Sequence, residues 1–133
     1  MDLESVTQIS ASGLKAQSLR MRVIAENLAN ADSVAATPGG DPYRRKLAVF
    51  RPDALDGGEG VKVQAVARDR SEFERIYDPG HPAADAQGYV KQANVNSLIE
   101  TTDMRSAQRS YEANLNAIEA ARGMTLRTID LLK

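Results

Sequence analysis

The chain has one histidine, His81, and it stands between two acids in Asp78-x-x-His81-x-x-x-Asp85. An imidazole with two carboxylates is the least from which a divalent metal site could be built, and such a site could activate water. The same stretch spells Asp78-Pro79-Gly80, a turn sequence that gives three ligands no pre-set geometry. Turn chemistry is its expected use. Glu72 and Glu74 could be read as an acid/base pair, but Arg68, Arg70 and Arg75 surround them and point to a solvated charged stretch. Serines are plentiful, yet none sits in a nucleophile elbow, and His81 is the one imidazole that could serve them as base. With no cysteine in the chain, thiolate ligands, disulfides and thiol nucleophiles are excluded. The expectation is therefore no enzyme, no catalytic residue, no metal site and no cofactor.

The elements that position these residues are set by glycine and proline. All five prolines and seven of the nine glycines fall between residues 35 and 92. They interrupt regular helix, so the chain divides into a helix at 1–34, a turn-rich β segment at 35–92 and a second helix at 93–133. In the first segment Leu3, Val6, Leu14, Met21, Ile24, Leu28 and Ala31 step by threes and fours, with polar Ser10 and Gln17 in the same seam. That spacing predicts an amphipathic helix close to a coiled-coil repeat, roughly 43 Å long from Leu3 to Ala31 at ~1.5 Å per residue. The last segment opens on Ser97-Leu98-Ile99-Glu100, read as a capping box. From it Met104, Ala107, Tyr111, Leu115, Ile118, Ala121, Thr125, Ile129 and Leu132 continue the same stepping. Gly123 weakens this helix by about 1 kcal/mol relative to alanine and marks a kink or a close approach.

Between the helices, residues 43–50 and 60–66 alternate and are β-branched, with a turn over Asp56-Gly57-Gly58-Glu59-Gly60 between them. A β-hairpin is expected, with Glu74–Tyr77 as a short third strand. The fold class is thus mainly α with a small β-rich middle, the two terminal helices packing as a coiled-coil-like pair.

Composition bounds the function. The 17 basic and 18 acidic residues nearly cancel and form no basic cluster, which disfavours nucleic acid as a partner. No apolar run approaches a membrane span, so stable membrane insertion is not expected. The beginning Met1-Asp2-Leu3-Glu4 is acidic where a secretory signal is basic, and export without a cleaved signal is the expectation. Aromatic residues make up 5% of the chain and tryptophan is absent. The terminal segments therefore carry few large anchors against the entropy of ordering two long helices, and those helices are expected to gain order against other subunits. On that reading Leu14, Met21, Ile24, Leu28, Met104, Tyr111, Leu115, Ile118, Ile129 and Leu132 pack between subunits. Asn27 and Asn114 would hydrogen-bond between helices and fix their register, as single polar seam residues do, while Asn30 and Asn96 suit caps. A rival reading, a soluble adaptor forming a discrete coiled-coil dimer, shares the stripes and leaves the middle motifs unexplained.

Those motifs resemble a known family. Ser12-Gly13-Leu14-Lys15-Ala16-Gln17 and Arg22-Val23-Ile24-Ala25-Glu26-Asn27-Leu28-Ala29-Asn30-Ala31 are similar to the N-terminal motif of the axial proteins of the bacterial flagellar rod and hook. Asp41-Pro42-Tyr43-Arg44-Arg45-Lys46, then 77–85, Gly88-Tyr89-Val90-Lys91, Asn94-Val95-Asn96 and Ser110-Tyr111-Glu112-Ala113-Asn114 resemble the proximal-rod subunits within it. Asn27, Asn30, Asn114, Tyr43 and Arg44 are the register and motif residues this likeness singles out. It implies a structural subunit that polymerises with itself and related rod subunits into a hollow, torque-transmitting tube across the periplasm. It also implies passage through the flagellar type III export apparatus. Polar Thr101-Thr102-Asp103 departs from the apolar stretch the family has near the start of the last helix.

Overall fold

The computed structural model describes residues 2–133. Two long helices frame it: α1, Leu3–Ala29, and α2, Ser97–Leu131. Between them run β1 (Lys46–Leu55), β2 (Gly58–Arg68), β3 (Glu74–Tyr77) and β4 (Tyr89–Gln92). The helices lie where the apolar stepping placed them, and α1 ends two residues before Ala31. Among the described residues no helix is long and apolar enough to cross a membrane.

The chain forms two compact units. One is built from residues up to Met21, Ala48–Ala65 and Arg105–Lys133. Here the β1–β2 hairpin lies on the first half of α1 through small residues. Ser5 Oγ, which donates to Asp2 Oδ1 at 2.6 Å, lies 3.4 Å from the carbonyl oxygen of Asp56, and the amide of Val61 donates to Ser12 Oγ at 3.1 Å. Ser5 and Ser12 are one heptad apart, so the seam of α1 turns hydroxyls toward backbone. The turn is tighter than the sequence suggested, with strand resuming at Gly58. Gly57 has φ +86°, and a Cβ there would collide with Ser5 Oγ. Gly57→Ala is accordingly expected to cost about 1–3 kcal/mol from the left-handed backbone alone, read as a lower urea midpoint at unchanged m-value. The helices meet in this unit where Gly13 faces Asn114: a Cβ on Gly13 would come within 2.6 Å of Asn114 Nδ2.

The other unit comprises Arg22–Leu47 and Val66–Met104. β3 and β4 pair antiparallel, Glu74 opposite Gln92 and Tyr77 opposite Tyr89, with the two tyrosine rings edge to face at 5.3 Å. The segment after α1 joins the other side of β4, where Ala35 N donates to Lys91 O and Ala93 N to Ser33 O. Ala35, Ala83 and Val90 close a small core beneath. The third strand foreseen at Glu74–Tyr77 therefore pairs with β4 in a sheet separate from the hairpin. β4 itself is too short and too polar for alternation alone to have marked it as strand.

Among the described residues seven of the ten buried apolar ones are alanine, and the two largest fully buried side chains are polar, Glu100 and Asn27. Alanine allows close approach of backbones and contributes little transfer energy. Specific polar contacts must then do much of the locating.

Candidate functional site

In the second unit the motif residues converge on one buried clasp. Asn27, from the last turns of α1, uses its whole amide. Its Oδ1 accepts from Tyr43 OH at 2.8 Å and from the amide of Lys46 at 2.9 Å. Its Nδ2 donates to Lys46 O at 2.9 Å and to Glu100 Oε2 at 3.3 Å. The other oxygen of Glu100 accepts from Arg45 Nε. Arg45 also reaches Asp69 Oδ2 at 3.2 Å and Asp103 Oδ2 at 3.5 Å. Asn94 accepts from the Arg45 amide and donates to Asp69 O and Ser71 O. Arg44 braces the same loop from above, donating to Asp69 O and Ser71 O with its guanidinium 4.2 Å from the Phe73 ring centroid. Two helices, the start of β1 and the 69–71 loop are thereby fixed together by one fully satisfied network.

This arrangement corrects the reading of Glu100 as the acid of a capping box. The cap of α2 is Asn96, whose Oδ1 accepts from the amides of Leu98 and Ile99. Glu100 is wholly buried and committed to Arg45 and Asn27. Asp103, in the polar Thr101-Thr102-Asp103 stretch, supplies a third carboxylate to Arg45, while Thr101 and Thr102 bond back to carbonyls of their own helix.

The electrostatics follow from this geometry. Burial works against charge on Arg45, but the hydrogen bond and charge of Glu100, then Asp69, outweigh it and raise its pKa. Burial first, then the charges of Glu26 and Glu100, push the Tyr43 phenol up. Asp69 is held below the usual 3.8 by the Ser71 amide, against some burial, with the Ser71 hydroxyl and Arg45 helping. Asp85, which accepts from the Tyr89 amide, and Asp2, which accepts from Ser5, are lowered as well. A carboxylate with a depressed folded pKa contributes stability above its unfolded value, and that contribution is lost as pH falls through the folded one. Denaturant midpoints should therefore drop on acidification below about pH 4. Asp69→Asn should lower the midpoint at neutral pH and flatten that acid limb.

The remaining residues singled out from sequence fall into three groups. Ile24 is 5% exposed and Leu14, Met21, Leu28, Met104, Tyr111 and Ile118 are half-buried within the single chain. Burial of Ile24 thus does not wait for a neighbour. Leu115, Ile129 and Leu132 are exposed. Asn114 makes no bond to the other helix; its Nδ2 donates to Ser110 O in its own helix and its amide packs on Gly13. Asn30 likewise turns back, to Glu26 O. α2 continues through Gly123, where an added Cβ would meet nothing within 4 Å, so this chain supplies no close partner there. Past Ala121, the last buried residue, every position from Met124 to Lys133 is exposed. His81 serves its turn, Nδ1 accepting from the Ala83 amide, and no group of side chains suited to a metal occurs among the described residues.

Comparison with known proteins decides the family. Residues 8–36 match the model for flagella basal body rod proteins, and residues 86–131 match that for the C-terminal region of flagellar basal body rod FlgEFG proteins. The flagellar basal-body rod protein FlgC of Agrobacterium fabrum is 52% identical over 98% of this chain and 96% of its own length. The chain belongs to the FlgC family of flagellar basal-body rod proteins. FlgC of Salmonella typhimurium is 45% identical over 98% of both chains, and FlgC of Bacillus subtilis 39% over 94% of this chain and 95% of its own. Within that family, the clasp is where three of this chain's separate motifs, around Asn27, Tyr43–Lys46 and Asn94, become one object.

Proposed function

We propose that the chain is a structural subunit of the flagellar proximal rod, one that becomes part of a tube wall together with copies of itself and related rod subunits. The observation that carries this reading is the far end of α2, where Met124, Leu126, Ile129, Leu131 and Leu132 are 49–86% exposed on a helix that its own chain leaves uncovered. A patch of that kind on a small protein marks an interaction surface. The role calls for burial and rigidity; it uses no catalytic group. Placement in the basal body accords with the relatives' names. Passage through the flagellar type III apparatus, residence in the periplasmic span of the rod and retention of the N-terminal residues are the finer parts of the proposal and rest on family likeness.

Mass spectrometry of purified basal bodies tests it. The chain is expected in rod-containing preparations with peptides from the first turns of α1 intact. It should be absent from basal bodies that stop before the rod. A mature form beginning near residue 20, or a protein missing from rods altogether, would overturn the reading.

A further inference from the structure

Arg22, Val23, Glu26, Lys46, Val66 and Arg68 line an open groove of about 310 Å³ in the second unit, room for one or two side chains. Its floor is Val23, 4% exposed, and its wall is Val66, which keeps 44% of its surface in solvent. Lys46 is held by Glu26 at 3.1 Å. Arg22 and Arg68 are exposed and make no ion pair among the described residues. Two unengaged guanidinium groups therefore flank a partly apolar slot, a setting that recognises carboxylates on a slim segment.

The chain carries such a segment elsewhere. At the tip of the β1–β2 hairpin, Asp56 and Glu59 bracket Gly57-Gly58 and are exposed, again without an ion pair among the described residues. Asp53 is already taken by Lys62, and Arg51 lies five residues back from the turn. One face of the turn rests on Ser5 of its own α1, and the two unengaged acids that stay exposed match two unengaged cations around a slot of side-chain size. We propose that the hairpin tip of one copy docks into the Arg22–Arg68 groove of a second copy. Tip and groove are different surfaces, so the contact is head-to-tail and propagates from copy to copy. The inference rests on the rod reading and adds to it a contact between the hairpin tip of one copy and the flank of α1 and the hairpin strands of the next.

Charge reversal tests it in cells whose only copy is the variant. Arg22→Glu with Arg68→Glu is expected to reduce rod-bearing basal bodies about tenfold or more, as like-charge juxtaposition at an interface does. Asp56→Lys with Glu59→Lys should do the same. All four changes together should restore assembly to within about twofold of the parent, because complementarity is regained. Single reversals that assemble normally, or a combined variant as defective as the worse pair, would overturn the proposal. Because reversed chains could also misfold, a second arm keeps the charges almost intact. Copies bearing Asp56→Cys are co-expressed with copies bearing Arg68→Cys in this cysteine-free chain, and basal bodies are examined for disulfide-linked dimers. Dimers support the docking; their absence from rods that contain both copies sinks it. Absence of the parent chain from rods would instead remove the underlying rod reading.

Discussion

Replacing Arg45 by methionine is expected to lower the stability of the subunit by about 3–5 kcal/mol at neutral pH. The reason is what it leaves behind. Glu100 is fully buried, and its Oε1 has Arg45 as hydrogen-bond partner; Oε2 keeps only the 3.3 Å contact from Asn27. An uncompensated carboxylate in an alanine-rich interior costs far more than the pair contributes when intact. The double variant Arg45→Met/Glu100→Leu should therefore regain at least about 2 kcal/mol, since removing both charges is often close to neutral. Asn27 keeps its bonds to Lys46 and Tyr43 in either background. Urea unfolding of the four proteins in the cycle measures this directly. A double variant no more stable than Arg45→Met would mean that Arg45 acts through packing and that the buried charge is not what matters.

The two helices were legible because each carries a stripe sustained over many turns and bounded by proline- and glycine-rich sequence. The clasp was legible only in pieces. Asn27 stood out as a polar residue in an apolar seam, and Tyr43 and Arg44 as part of a motif. Glu100 was hidden because Ser97-x-x-Glu is also how a capping box is spelled, and local spacing cannot distinguish an acid that turns back to its helix start from one that turns inward. Arg45 and Asn94 were visible as motif residues without a role, and Asp69 not at all, because the partners lie 24 to 55 residues apart. A second arginine beside Arg44 was the one available hint. Asn114 finds no cross-helix partner within the single chain for a different reason. A seam asparagine can bond across helices only where the opposite residue offers a partner, and here that residue is Gly13. The hairpin came out longer than its alternation because Pro52 and Gly60 read as breakers. A two-stranded sheet has only edges, where proline is tolerated, and Gly60 is small because Ser12 lies against it.

The end of α2 should separate folding from assembly. Ile129 is 49% and Leu132 82% exposed in the single chain, so changing both to lysine removes little that the subunit itself buries. Positive charge near a helix C-terminus is favourable, and the expected cost to the isolated subunit is within about 0.5 kcal/mol. Proline at Ile118 is a blunter probe, because that residue is half-buried in its own chain and the subunit would suffer as well. In the rod the outcome differs. Each copy would bring two ammonium groups into what the proposed function makes an apolar contact, at a cost of several kcal/mol per contact when unpaired, and the same charge would recur on every copy around the tube. Circular dichroism and urea unfolding of Ile129→Lys/Leu132→Lys should match the parent, while cells relying on it make the protein in normal amounts and build no rod, hook or filament. Normal motility would mean that this end of α2 stays in water after assembly, and the surface that carries the proposed function would have to be sought elsewhere on the chain.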